Sequence, residues 1–123
     1  MIIDDDRFIS EALQDRFESL GYEVLVFTDG YTALATIMLE SSRSPLDLVL
    51  LDLNMPGIDG MTVLHELHRR HREIPVIMMS GTEDKGAFQK ALRAGARDYV
   101  GKPLDFKILE QKCLKVLENG GSA

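Results

Sequence analysis

Residues 46–60 read LDLVLLDLNMPGIDG, a mostly apolar run that ends at an aspartate and continues into a loop. The run 46–51 has the length of a β-strand. It does not alternate apolar with polar positions, which is typical of a strand covered on both faces in a parallel sheet. The Asp59-Gly60 pair interrupts regular structure and indicates the start of a helix. The segment therefore predicts a buried strand with an acidic residue, Asp52, at its carboxyl end.

Short apolar runs of the same type recur on both sides of this segment. Strand-sized runs occupy residues 1–3, 23–27, 75–79 and 98–101. Helical apolar patterns lie between them, at residues 7–20, 31–40, 61–70, 85–94 and 106–118. Strict alternation of strand and helix with right-handed crossovers gives a doubly wound α/β fold. Five units of this length fit a flavodoxin-like (βα)5 fold, with a five-stranded parallel sheet of strand order 2-1-3-4-5.

Length, composition and charge exclude several classes of protein. A chain of 123 residues with 45% hydrophobic content suits one compact domain, and a formal charge of -6 opposes direct binding of nucleic acid. No apolar run approaches the roughly 20 residues that span a bilayer, and the chain does not begin with a signal-peptide pattern. We therefore expect a cytoplasmic protein without membrane contact. The single cysteine, Cys113, shares a helical apolar stripe with Leu109 and Val116 and is predicted to lie in the core.

Carboxylates follow two strands that the predicted order makes neighbours. Asp4, Asp5 and Asp6 come after strand one, and Asp52 comes after strand three. Asp6 suits the cap of the first helix, but three acids in a row exceed what capping requires. Two unit charges about 4 Å apart repel by roughly 4 kcal/mol at an effective dielectric of 20. A divalent cation would remove this strain, and ligation by oxygen alone favours Mg²⁺ or Mn²⁺.

Two further polar residues are predicted at the same edge of the sheet. Ser80 ends strand four, and Lys102 follows strand five. A lysine ammonium suits a phosphoryl or carboxylate oxygen, and a serine hydroxyl can rotate to donate to one. Together with the aspartates, these side chains indicate a site that handles phosphate.

Taken together, these residues resemble the receiver-domain family of two-component response regulators. The likeness extends over residues 1–118, which we take as the domain, and leaves 119–123 as a flexible tail or the start of a linker. Its elements occur in the order of the family: Asp4-Asp5 after strand one, Asp29-Gly30 and Ala33-Leu34 at helix two, Asp52 through Gly60 after strand three, Ser80-Gly81 after strand four, Ala94-Gly95-Ala96 before strand five, and Tyr99 through Pro103 at its end.

The resemblance implies that Asp52 is the phosphoacceptor and that the site binds Mg²⁺, with Mn²⁺ as a substitute. Asp5 and Asp52 would supply side-chain oxygens to the cation, Asn54 its backbone carbonyl, and Asp4 a contact through a metal-bound water. Lys102 would pair with Asp52 and then with its phosphoryl group. Such a protein catalyses only its own aspartyl phosphorylation and dephosphorylation, so we do not expect a conventional turnover enzyme.

The resemblance also implies a conformational switch. Ser80 would hydrogen-bond a phosphoryl oxygen, and Tyr99 would turn inward in response. Helix four, strand five and helix five would then present the changed surface. Gly81 would leave the approach to the acceptor open, and Pro103 would follow a cis peptide bond.

The same resemblance suggests partners. A sensor histidine kinase or a histidine phosphotransfer protein would donate the phosphoryl group, and an output domain or a downstream protein would receive the signal. A homodimer could form through the surface of helix four, strand five and helix five. Asn54 and Thr82 would flank the path of the attacking water and tune the lifetime of the phosphoryl group.

Other protein classes share part of this pattern. A phosphohydrolase of the haloacid dehalogenase type also has acids after strand one, but it needs a longer chain and would be labelled on Asp4 rather than Asp52. A pseudo-receiver, a phosphorylation-independent interaction module, is recognised by loss of an acid or of the lysine, and none is lost here. A flavodoxin is opposed by the anionic loop after strand one. We interpret His65, His68 and His71 as solvated residues on the polar face of helix three rather than metal ligands.

Overall fold

The computed structural model describes residues 1–40, 46–81 and 85–119. Strands and helices alternate in these residues. The strands are β1 (Ile2–Ile3), β2 (Val26–Phe27), β3 (Val49–Asp52), β4 (Val76–Ser80) and β5 (Asp98–Gly101). The helices are α1 (Arg7–Ser19), α2 (Gly30–Glu40), α3 (Gly60–Arg70), α4 (Lys85–Arg93) and α5 (Phe106–Glu118). All strand pairs are parallel and the order is β2-β1-β3-β4-β5, which confirms the predicted flavodoxin-like sheet.

Strand lengths differ from the prediction because a strand includes only the residues that pair with a neighbouring strand. β1 has two residues, so β2 pairs with it only at Val26 and Phe27 rather than over the predicted 23–27. β3 begins at Val49, three residues later than predicted. Its far end pairs with β4 through Asp52 and Met79, so the acidic residue belongs to the strand itself. The backbone of Asp52 is therefore held by the sheet.

Helices cover the sheet on both faces and form two core clusters. α2, α3 and α4 contribute to one, and α1 and α5 contribute to the other. Every residue of β3 and β4 is buried, as the absence of alternation in their sequences predicted. Cys113 is 2% exposed and packs with Leu109 and Val116, which confirms its core assignment. Burial also raises the pKa of its thiol to about 12.

Aspartates precede four of the helices, and they set how the loops leave the sheet. Asp6 caps α1, Asp29 caps α2, Asp59 caps α3 and Asp105 caps α5, each by accepting from at least one backbone amide of the first turn. Gly60 lets α3 start directly beneath β3, since a Cβ there would lie 2.2 Å from the carbonyl oxygen of Asp52. The loop between β3 and α3 is thereby held close to the carboxyl edge of the sheet.

Among the helices that the structure describes, none combines the length and the apolar character that crossing a bilayer requires. α3 ends in a basic turn, with Arg69 and Arg70 both paired to Glu66 on its exposed face.

Candidate functional site

Three carboxylates converge where β1 and β3 end. Asp4, Asp5 and Asp52 each offer an oxygen, and these oxygens all lie within 4.8 Å of one another. Asp4 is fully buried and Asp52 is 3% exposed, whereas Asp5 is exposed to solvent. This carboxylate group is therefore buried at Asp4 and Asp52 and open to solvent at Asp5.

Lys102 brings a positive charge to this group from the end of β5. Its Nζ donates to Oδ2 of Asp4 at 3.0 Å and lies 3.4 Å from Oδ2 of Asp52. The resemblance implies a pair with Asp52, but the shorter contact is to Asp4. The backbone of Lys102 is fixed by a hydrogen bond of 2.7 Å to the carbonyl oxygen of Ser80, and its bond to Pro103 is cis.

Both carboxylate oxygens of Asp4 have partners within the protein. Oδ1 accepts a hydrogen bond of 2.9 Å from the backbone amide of Asp6, and Oδ2 accepts from Lys102. Asp52 accepts a hydrogen bond of 3.2 Å from the backbone amide of Asn54 on its Oδ1. Each oxygen of Asp4 thus accepts one short hydrogen bond, whereas Asp5 is exposed and Asp52 has the longer contact with Lys102, so Asp5 and Asp52 are the acids better placed to bind something new.

The surroundings shift the protonation of this group. Burial, followed by the negative charge of Asp4, raises the pKa of Asp52 to about 6, while Lys102 and the amide of Asn54 oppose the rise. Burial alone would lower the pKa of Lys102. Its hydrogen bond and charge interaction with Asp4, joined by those with Asp52, outweigh burial and raise it. At neutral pH the lysine is charged and Asp52 is mostly ionised, which leaves an excess of negative charge.

The donor set fits a hard divalent cation. It consists of carboxylate oxygens, without nitrogen or sulfur, which is the chemistry that Mg²⁺ prefers and Zn²⁺ does not. Its open side would leave room for the waters that Mg²⁺ usually retains. Within residues 1–40, 46–81 and 85–119, no other group of three or more acid, histidine or cysteine side chains is close enough to share an ion.

The histidines of α3 accordingly belong to no such group, but their burial was only partly predicted. His65 is exposed, whereas His68 and His71 are half-buried. Gly95, with a φ of 113°, lies so close to His68 that a Cβ there would be 2.2 Å from Nδ1. The prediction that all three are solvated holds in full only for His65, while His68 and His71 are partly accessible and His68 packs against the turn at Gly95.

Ser80 and Gly81 adjoin the site at the end of β4. Ser80 is fully buried, and Gly81 is exposed. A Cβ on Gly81 would approach Lys102 Cβ at 3.7 Å, which is an ordinary contact. The part of the fold that the structure describes therefore does not itself demand a glycine at this position. Thr82 lies outside the described residues.

Tyr99 lies in β5 and is half-buried between α4 and α5. Its ring stacks on Phe88 of α4, with centroids 4.0 Å apart and planes 16° from parallel. On the other side, Lys112 of α5 donates to the carbonyl oxygen of Tyr99 at 2.7 Å and to Asp98 at 3.0 Å. Sequence reasoning identified Tyr99 but missed Phe88 and Lys112. The only available signal was their position on the helices predicted to flank β5.

Comparisons with known proteins agree with this geometry. The family model of the response regulator receiver domain matches residues 1–114. The transcriptional regulatory protein QseB of Haemophilus influenzae is 36% identical over 103 residues, which are 84% of this chain and 45% of QseB. The chain spans about half of the length of the curated relatives that it matches.

Solved structures give the same result. The receiver domain of NtrX from Brucella abortus is 31% identical, with a TM-score of 0.86 over 95% of this chain and 96% of that one. A chain of the CheX-CheY-BeF3-Mg²⁺ complex from Borrelia burgdorferi is a further neighbour, 29% identical, with a TM-score of 0.87 over 94% of this chain and 85% of that one. Family model, sequence relatives and fold thus agree with one another, and the chain belongs to the family of response regulator receiver domains.

Proposed function

We propose that Asp52 accepts a phosphoryl group from a phosphohistidine, carried by a sensor histidine kinase or a histidine phosphotransfer protein. The observation that carries this proposal is the placement of Asp52 at a buried strand end, within 3.4 Å of Lys102 and beside two further carboxylates. A nucleophilic carboxylate needs its charge stabilised without being blocked. Lys102 provides that stabilisation here, while the exposed side of the site stays open to a donor.

The transfer requires an in-line displacement. An oxygen of Asp52 attacks phosphorus, an acyl phosphate bond forms, and the bond from phosphorus to the donor nitrogen breaks. Lys102 lies between Asp4 and Asp52, so its ammonium can follow the negative charge onto a phosphoryl oxygen. Later attack by water on the phosphorus releases phosphate and restores the carboxylate.

Mg²⁺ is the cation that this donor set suits, and Mn²⁺ is the expected substitute. When bound, it neutralises charge on the phosphoryl oxygens and orients them. Asp5 and Asp52 would hold it through side-chain oxygens, and Asn54 through its backbone carbonyl. Asp4 would act through a metal-bound water.

The response to phosphorylation would pass through Ser80 and Tyr99. The hydroxyl of Ser80 would move to a phosphoryl oxygen, and Tyr99 would turn inward. That movement must separate the rings of Tyr99 and Phe88, which stack at 4.0 Å, so α4 would shift with it. The α4-β5-α5 surface is therefore the part of the molecule that would signal to a partner, including a second copy of this chain.

Residues 1–118 would form the receiver domain, with 119–123 as a tail or linker. QseB is named as a transcriptional regulatory protein and NtrC of Salmonella typhimurium as a DNA-binding one. We infer that this domain likewise controls an output domain or a downstream protein in the cytoplasm. The charge of -6 supports a domain that does not itself contact nucleic acid. A phosphorylation-independent module is the less favoured reading, because the acids and the lysine are all present.

Intact-mass analysis after incubation with Mg²⁺ and acetyl phosphate tests the proposal. We expect one labile phosphoryl adduct, absent when EDTA replaces Mg²⁺ and absent from Asp52→Asn. Asp59→Asn is the matched control, since it makes the same substitution at an exposed cap and should still be labelled. Labelling of Asp4 would instead indicate a phosphohydrolase, and no labelling of the native protein would indicate a pseudo-receiver.

A further inference from the structure

Ser10 lies near the start of α1 and is buried against the loop between β1 and α1, which carries Asp4, Asp5 and Asp6. It is 1% exposed, and its Oγ lies 3.0 Å from the carbonyl oxygen of Asp6 and 3.1 Å from that of Asp4. We propose that Ser10 is a positioning residue that holds the loop between β1 and α1 in the conformation that binds the divalent cation. This inference rests on the proposed function, because it concerns the same cation site.

The contact with Asp6 is common in helices, whereas the contact with Asp4 reaches outside the helix. A serine within a helix often donates to the carbonyl four residues before it, which accounts for the contact with Asp6. Asp4 lies six residues before Ser10 and ahead of the helix cap, so its carbonyl is not part of the helix. The hydroxyl has a single hydrogen, which it shares between the two carbonyls in a three-centre hydrogen bond, and the branch to Asp4 ties α1 to the end of β1.

The hydroxyl completes a set of hydrogen bonds around Asp5. The backbone of Asp4 is held by Ser10 through its carbonyl, and its side chain is held by the amide of Asp6. Asp6 in turn caps α1 through the amides of Phe8 and Ile9. Asp5 is exposed and lies between these two anchored neighbours, so their backbone fixes the direction in which its side chain leaves the loop.

A hydroxyl in this role favours the cation-binding conformation of the loop over its other conformations, so its hydrogen bond contributes to cation affinity as well as to folding. Hydrogen bonds of this kind contribute about 0.5–1.5 kcal/mol, and 1.4 kcal/mol corresponds to a tenfold change in binding. We therefore expect Ser10→Ala to raise the Kd for Mg²⁺ about two- to tenfold. Ser10→Cys should have a similar effect, because the thiol has nearly the size of the hydroxyl but is a weak donor.

The experiment measures Mg²⁺ binding by isothermal titration calorimetry, together with amide hydrogen exchange at Asp6 in the metal-free protein. We expect weaker binding and faster exchange in both Ser10 variants. Ser19→Ala is the matched control, since it removes a serine-to-carbonyl hydrogen bond at the exposed end of the same helix. Val116→Ala controls for global destabilisation, because it leaves a cavity near the far end of α5. Both controls should bind Mg²⁺ like the native protein.

The outcomes separate the two proposals. If the native protein binds no Mg²⁺, the proposed function fails. If it binds Mg²⁺ and the Ser10 variants bind equally well, the positioning role is wrong although the proposed function stands. If Val116→Ala weakens binding as much as Ser10→Ala, the effect is general destabilisation and the positioning role is again wrong.

Discussion

Replacing Asp52 with asparagine should stabilise the metal-free protein at alkaline pH. The carboxyl of Asp52 has a pKa of about 6 in the folded chain, against an ordinary value of 3.8. The folded state thus holds this proton more tightly than the unfolded state does. The resulting stabilisation is fully present below about pH 4 and is lost as the pH rises through about 6. Above that pH, folding must bury a charged carboxylate beside Asp4.

The size of the effect follows from the two pKa values. They differ by about two, which corresponds to about 3 kcal/mol as an upper limit. Asparagine resembles the protonated carboxyl in shape, and its carbonyl can still accept from the amide of Asn54. We therefore expect Asp52→Asn to be about 2–3 kcal/mol more stable than the native protein at pH 8 in EDTA, and equally stable near pH 4.

Urea unfolding monitored by circular dichroism at a series of pH values measures this difference. Added Mg²⁺ should narrow the gap at pH 8, because it binds the native carboxylate and stabilises the folded state by mass action. Asp59→Ala is a control of opposite sign, since loss of that helix cap should destabilise the protein by about 1 kcal/mol. A native protein as stable as Asp52→Asn at pH 8, or a gap that does not depend on pH, would refute the reasoning.

Two further changes test how the site is held. Lys102→Ala removes the ammonium that lies between two buried carboxylates. We expect it to lower the free energy of unfolding at pH 8 in EDTA by roughly 2–3 kcal/mol, measured by urea titration. Unchanged stability would mean that the lysine is not paired in solution. Gly60→Ala places a Cβ 2.2 Å from a backbone oxygen of β3 and should lower stability by about 1–3 kcal/mol, seen as a reduced Tm. A Tm equal to the native value would show that α3 starts farther from β3 than the structure has it.

Most of the fold could be predicted because its signals are local. Strand-sized apolar runs and helical stripes alternate along the chain, and this alternation permits few topologies. Strand ends could not be predicted in the same way. β2 is shorter than its apolar run because its partner β1 has only two residues, and β3 includes Asp52 because Met79 pairs with it. Pairing is a property of two segments, and one segment alone does not reveal it.

The residues of the candidate site were predictable from their positions at strand ends, but their mutual contacts were not. Strand order brings Asp4, Asp52 and Lys102 to one edge, yet it does not say which carboxylate the lysine touches first. Ser10 was missed because a serine in a helix usually faces solvent. Its spacing to Leu13 and Phe17, three and seven residues later on the buried stripe of α1, was the signal that could have found it.

The contact between Lys102 and Asp4 spans 98 positions of the chain. During synthesis, both acidic strands leave the ribosome well before the lysine does, so a partly folded chain in which β1 has paired with β3 holds the acids together without their counter-charge. The site is complete only after the last strand of the sheet has joined the others. The balance of charge at this edge of the sheet is therefore established late in folding, once β5 is in place.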